Sequence, residues 1–146
     1  IRVGGSTAVE MTERKHRIED ALEAVRSAQE GGIVGGGGTT LYRVSRCLGE
    51  DDNEYQSIAN RILRAACEAP IRQMAANAGE SGDIILNEIS KSSPGTGWDF
   101  RNNQLVNLIN TGIIDPVKVT RTALQNAVSS AGTLMTTKCA IIQTGE

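Results

Sequence analysis

The chain has 146 residues, of which 22% are charged and 39% hydrophobic, enough for one ordinary domain with a core and too mixed for a disordered polymer. Its formal net charge of −2 gives no electrostatic reason to expect nucleic acid or an anionic membrane as a partner. No apolar run approaches the roughly 20 residues of a membrane span.

The first residues, Ile1-Arg2-Val3-Gly4-Gly5, read as the end of a β-strand. No initiator Met, basic leader or signal-like apolar segment precedes them, so the chain is expected to be a piece of something longer. Residues from about Ala8 to Glu30 then predict one amphipathic helix. Ile18, Ala21, Leu22, Val25 and Ala28 keep to one helical face. Lys15 with Glu19 and His16 with Asp20 stand four apart on the exposed side. Gly31-Gly32 stops this helix.

Ile33-Val34 leads into the run Gly35 to Gly38. A second helix is predicted from about Thr39 to Leu48, with Leu41, Val44 and Leu48 inward. After a polar loop a third runs from Glu54 to Ala69, its stripe made of Tyr55, Ile58, Ala59, Ile62, Ala66 and Ala69. Pro70 is expected to kink or break it, and Ile71, Met74, Ala75 and Ala78 continue a new stripe to Gly79. Asp83 to Ser90 is a shorter helix. Trp98-Asp99-Phe100 alternates like a strand and would form a hairpin with Leu105-Val106. Asp115-Pro116 reads as a helix start, Asp at the N-cap and Pro at the first helical position. That helix is expected to bury Val119, Ala123, Leu124, Ala127, Val128, Ala131 and Leu134. Cys139 to Gln143 closes the chain as a strand. The fold class is mainly α, five or six helices with small two-stranded elements.

The candidate chemistry is sparse. Three scattered cysteines, Cys47, Cys67 and Cys139, form no CxxC pair; they read as buried hydrophobes in a reducing compartment. The single histidine, His16, leaves no material for a His-based metal cluster or a Ser-His-Asp triad. The glycine run opens a helix, where backbone approaches a ligand without a Cβ in the way and free N–H groups favour anions. It is neither a Walker loop nor GxGxxG, and a plain linker explains it equally. Asp20 lies off the apolar stripe, either a general base or a solvated acid pairing with His16 or Arg17. Asp115 is accounted for by its cap. Trp98 and Phe100 suit core packing, or a platform for a nucleobase.

Taken in order, these residues resemble the second half of a group I (GroEL-type) chaperonin. Val9-Glu10-Met11 with Arg17-Ile18-Glu19-Asp20-Ala21-Leu22 is similar to the family's "VEM…RVEDAL". Gly32-Ile33-Val34 with Gly36-Gly37-Gly38 resembles "GVVAGGG", and Glu68-Ala69-Pro70-Ile71-Arg72-Gln73 resembles "EAPLRQI". Gly112-Ile113-Ile114-Asp115-Pro116 through Lys118-Val119-Thr120-Arg121 and Ala123-Leu124-Gln125 resembles "GILDPTKVTRSALQ". The likeness runs from end to end, with a short deletion near Gly49–Asn53.

The resemblance implies two segments: residues 1–31 from an intermediate domain and 32–146 from an equatorial, ATP-binding domain whose helical bundle they help to form. It implies ATP and Mg²⁺, with the metal ligands and phosphate loop in a segment before Ile1. It implies identical subunits in a ring, with co-chaperonin and unfolded polypeptides held by an apical domain, and a cytoplasmic or organellar-matrix location. Nucleic acid and membrane are not among the partners. Asp20 would be the acid that orients the attacking water. Gly36 and Gly37 would line the nucleotide, Ile113 would touch the base and Asp115 would bond the ribose hydroxyls. Where family members carry Tyr-Asn-Ala-Ala beside adenine, this chain has Trp98-Asp99-Phe100-Arg101. Asp99 keeps an acceptor and loses the amide donor, and Phe100 would stack on the base or fill its space. The altered stretch also admits a chaperonin relative that binds nucleotide or makes ring contacts without turnover.

Overall fold

The computed structural model describes residues 1–49, 52–139 and 141. Among them are six helices and two small antiparallel ribbons, so the mainly-α expectation holds. Helix α1 spans Ala8–Gly31, strand β1 Ile33–Gly35, α2 Thr39–Ser45 and α3 Glu54–Asn77. Then come α4 (Gly82–Lys91), β2 (Thr96–Asp99), β3 (Gln104–Asn107), α5 (Leu108–Thr111), β4 (Ile114–Pro116) and α6 (Val117–Met135). No helix is long and apolar enough to cross a membrane.

Local chemistry sets most ends. Thr7 caps α1 by accepting from the Glu10 N–H at 3.2 Å, while the Glu10 carboxylate accepts from Ser6 N–H at 2.8 Å, a variant of the capping box. At the other end Gly32, with φ of +79°, sends its N–H to Ala28 O at 2.8 Å. The α3 terminus is a Schellman closure: Gly79 is left-handed and the Glu80 N–H reaches Ala75 O at 2.8 Å.

The core is small and lies where α2, α3 and α4 meet. Tyr42, Ile71, Ala75, Ile85, Leu86 and Ile89 form it, with Met74, Trp98, Phe100 and Leu105 packed against them. Helix α3 does not stop at Pro70; it continues to Asn77. Its buried line is Cys67, Ile71 and Ala75, which sit four apart on both sides of the proline. Continuous burial along that face outweighs the one N–H that Pro70 withholds. The expected stripe was the wrong one: Tyr55 is 83% exposed, and Ile58 and Ile62 are exposed too. In α2 the inward side chains are Thr39, Tyr42 and Ser45, and Val44 faces solvent. Tyr42 wins this contest because its ring fills the core while its hydroxyl donates to Leu86 O at 3.3 Å.

The Trp98 hairpin forms as expected, with Trp98 opposite Leu105. The chain ends do not follow expectation. Residues 1–5 are not in a strand, nor are Cys139 and Ile141; the rest of the expected terminal strand lies outside the described residues. Helix α6 buries none of its residues, Val119, Val128 and Leu134 included. Only Cys67 among the cysteines is buried.

Candidate functional site

The glycine run lies against residues far away in sequence. Strand β1 pairs with β4, Ile33 opposite Pro116, Val34 opposite Asp115 and Gly35 opposite Ile114. The ladder runs one step further, because the Gly36 N–H donates to Ile113 O at 2.9 Å. Two-strand pairing thus delivers Gly36, Gly37, Ile113 and Asp115 to one place, and Gly112, at φ +78°, supplies the turn from α5 into β4.

Asp115 is therefore a strand residue and not an N-cap. Helix α6 starts one residue later than expected, with Pro116 as its N-cap and no side-chain cap bond. Pairing with Val34 holds Asp115 in the ribbon, and the pairing outweighs the local preference of an Asp-Pro sequence for a helix start. Its carboxylate keeps no hydrogen-bond or ion-pair partner among the described residues. It is half-buried and lines two cavities.

The larger cavity is a cleft of about 290 Å³. Gly35, Gly37 and Gly38 form one wall, Leu41, Pro70 and Met74 an apolar one, and Thr40, Thr120 and Asp115 the polar remainder. The glycines are not equivalent. A Cβ on Gly36 would stand 3.2 Å from Asp115 Oδ1 and from the Ile114 backbone, so a side chain there would press on the strand pair. A Cβ on Gly38 would lie 3.0 Å from Ile71 Cγ1 and 3.3 Å from Pro70 Cβ, with φ at +71°. Gly37, at φ +63°, would meet only ordinary contacts, Trp98 O at 3.7 Å and Ile113 Cγ2 at 4.0 Å. Gly37 is thus the position where bare backbone faces the cleft and packing alone does not account for the missing side chain.

The second cavity, about 160 Å³, lies between Ala24, Val25 and Ala28 of α1 and Ile33, Ile114, Asp115 and Pro116 of the ribbon. Asp20 lines neither cavity. It stands exposed on α1, four residues before Ala24, which is one turn and about 6 Å along the same face. The expected pairing with His16 or Arg17 is not made: Arg17 holds Glu13 at 2.5 Å, and Lys15 holds Glu19 at 3.4 Å.

The Trp98–Arg101 stretch behaves differently. Asp99 is buried, and its carboxylate is taken up by its own turn: Oδ1 accepts from Arg101 N–H at 2.9 Å and Asn102 N–H at 3.3 Å, and Oδ2 accepts from the Asn102 amide at 2.7 Å. The Asn102 amide first, then the Arg101 N–H, hold this carboxyl below the usual range, against a smaller opposing effect of burial. Phe100 packs on the core, Arg101 is exposed at the turn, and Trp98 Nε1 donates to Asn103 Oδ1 at 3.1 Å.

Sequence reasoning missed Arg43. Its Nη2 reaches Ser92 Oγ at 3.0 Å and the carbonyls of Ser93 and Thr96 at 2.9 Å and of Ile89 at 3.3 Å. It fastens α2 to the end of α4 and the start of β2. No spacing rule marks it, because its partners are backbone atoms of distant segments.

The model of the TCP-1/cpn60 chaperonin family matches residues 1–144. The chain belongs to this chaperonin family. The match takes in α1 as well as the bundle, so the ribbon, the glycine loop and the helix carrying Asp20 all fall within it. Among the described residues no group of three or more His, Cys, Asp or Glu is placed to hold a metal ion.

Proposed function

We propose that the protein is an ATP-driven chaperonin of the group I type, and that residues 32–146 supply one wall of its equatorial nucleotide site while residues 1–31 belong to its intermediate domain. The observation that carries this is Asp115: a half-buried carboxylate with no protein donor among the described residues, set on the same cleft as Gly37. A carboxylate so placed would accept hydrogen bonds from vicinal hydroxyls of a ribose. Bare backbone at Gly37 allows close approach, and the cleft's volume sits at the small end of ligand sites, suited to a nucleoside rather than a larger group. Ile113, whose Cγ2 would lie 4.0 Å from a Cβ on Gly37, would give the base an apolar contact.

Asp20 then has the part of orienting the attacking water. It stands one helical turn beyond the α1–ribbon crevice, so it would reach a phosphate only if α1 swings towards the site. ATP binding and hydrolysis would bias such rigid-body movement, the basis of a folding cycle. The working unit is a ring of identical subunits in the cytoplasm or an organellar matrix, acting on unfolded polypeptides with a co-chaperonin. A second reading is a nucleotide-binding or ring-contact module without turnover. It is favoured by Asp99, whose oxygens are spent on its own turn, and by Phe100, which packs on the core instead of facing the cleft.

Nucleotide titration with single-turnover kinetics on the assembled protein separates the readings. Asp20→Ala should bind ATP nearly as the parent does and hydrolyse it roughly 10²–10⁴-fold more slowly. Asp115→Ala should raise KM more than it lowers kcat. Parental hydrolysis in Asp20→Ala refutes the assigned role, and absence of phosphate release from the parent leaves the non-hydrolysing module. Residues 1–146 alone should show no turnover.

A further inference from the structure

We infer that Thr40 is a positioning residue for the nucleotide cleft, an inference that rests on the function proposed above. Its hydroxyl donates to the Gly35 carbonyl at 2.7 Å, across the whole glycine run, and the same side chain lines the cleft with Gly37 and Asp115. Four successive glycines are the most freely rotating stretch a chain can have, and holding them in one shape costs correspondingly more entropy. Gly37 and Gly38 both sit at positive φ, at +63° and +71°. Backbone bonds hold this loop at three points: Gly36 N–H to Ile113 O at 2.9 Å, Thr39 N–H to Gly36 O at 3.2 Å and Tyr42 N–H to Gly38 O at 3.2 Å. The Thr40 bond is the one side-chain tie to the run among the described residues. It joins the last residue of β1 to the first turn of α2, so the loop is closed at its base and Gly37 is presented to the cleft.

The neighbouring threonine shows that hydroxyl content alone is not the point. Thr39 is buried, and its Oγ1 has no hydrogen-bond partner among the described residues. Among the described residues, only Thr40 has a hydroxyl that both engages the loop and borders the cleft. The hydroxyl proton goes to Gly35 O, which leaves the oxygen with lone pairs to accept with.

A ligand that needs one loop shape binds more weakly by the fraction of time the loop holds it. Losing one ordinary hydrogen bond shifts such an equilibrium about fivefold. Thr40→Val keeps the shape and removes the hydroxyl; Thr40→Ser keeps the hydroxyl. In the full assembled protein, Thr40→Val should raise the Kd for ATP, by at most about fivefold, with kcat at saturation within about twofold of the parent, and Thr40→Ser should restore the parental Kd. Without nucleotide, amide exchange at Gly36–Gly38 should quicken about fivefold in Thr40→Val and not in Thr40→Ser. Unchanged exchange, or faster exchange with parental Kd, overturns the positioning role while leaving the proposed function standing. A parent that binds no ATP overturns both.

Discussion

The two long peripheral helices and the small core end in different states. Helices α1 and α6 both carry apolar stripes, yet neither has a buried residue; Leu22 is 46% exposed and Val128 48%. In α3 and α4 the apolar faces, more pronounced than that of α1, place Ile71, Ile85 and Ile89 at no more than 1% exposure. Periodicity reports which face of a helix is apolar. It does not report whether anything lies on that face. Helix α1 lies against α6 and β4 without enclosing a side chain, and is otherwise held by its caps and by exposed pairs such as Arg14–Glu10 and Lys15–Glu19, each worth a few tenths of a kcal/mol. The core is held by side chains with no access to water.

The comparison breaks first at Ile71. Ile71→Ala should cost about 2–5 kcal/mol in denaturant unfolding, since transfer and cavity costs add at a fully enclosed site. A loss under about 1 kcal/mol would mean that the three-helix core is not what holds the molecule together. Next is Arg43→Met, which keeps the stem, takes the Arg43 donor from Thr96 O and leaves Ser93 O with the Thr96 N–H alone. We expect about 2 kcal/mol, within the range for hydrogen bonds from a charged group, and faster amide exchange at the entry to β2. Substitutions on the peripheral helices should matter less. Leu22→Ala and Val128→Ala are expected to stay within about 1 kcal/mol of the parent, as surface changes do; a core-sized loss in either would show that its stripe is covered in solution.

Much of this was legible in the sequence because it is local. The Gly31-Gly32 stop, the start of α3 at Glu54 and the Trp98–Leu105 hairpin each depend on neighbouring residues, and each stands as read. The β1–β4 ribbon was not legible, since Val34 and Asp115 carry no mark of each other. That one long-range pairing turned an N-cap into a strand residue. Pro70 does not end α3 for the same reason: the cost of a break was outweighed by burial of Ile71 and Ala75 beyond it. The candidate site was found through resemblance, which assigned Gly36, Gly37, Ile113 and Asp115 together; the fold then brought these four to one end of the ribbon. Thr40 and Arg43 escaped notice because their partners are backbone carbonyls, which carry no sequence identity.

The smallest effects distinguish the two regions by kind. Asp99 on the core side and Glu30 at the end of α1 both have carboxyls held below their ordinary range. For Asp99 the leading cause is a hydrogen bond from the neutral Asn102 amide; for Glu30 it is the hydrogen bond from the Lys118 ammonium, with the charge of Lys118 next. In both cases the folded state prefers the ionised group. The stabilisation is therefore complete above the unfolded values, about 3.9 for Asp and 4.3 for Glu, and is lost as pH falls through the lower folded values. Asp99→Asn and Glu30→Gln should each reduce the melting temperature at pH 7 and should converge on the parent in acid. Salt separates them. Lys118 and Glu30 are exposed, so the charge in their pairing is screened at high ionic strength. Asp99 is buried and bonded to neutral donors, which salt scarcely touches. Thermal melts at low and at 1 M salt, where the Debye length is about 3 Å, should erase most of the Glu30→Gln difference and keep that of Asp99→Asn. Equal loss of both in salt would place Asp99 with the peripheral charges instead of with the core.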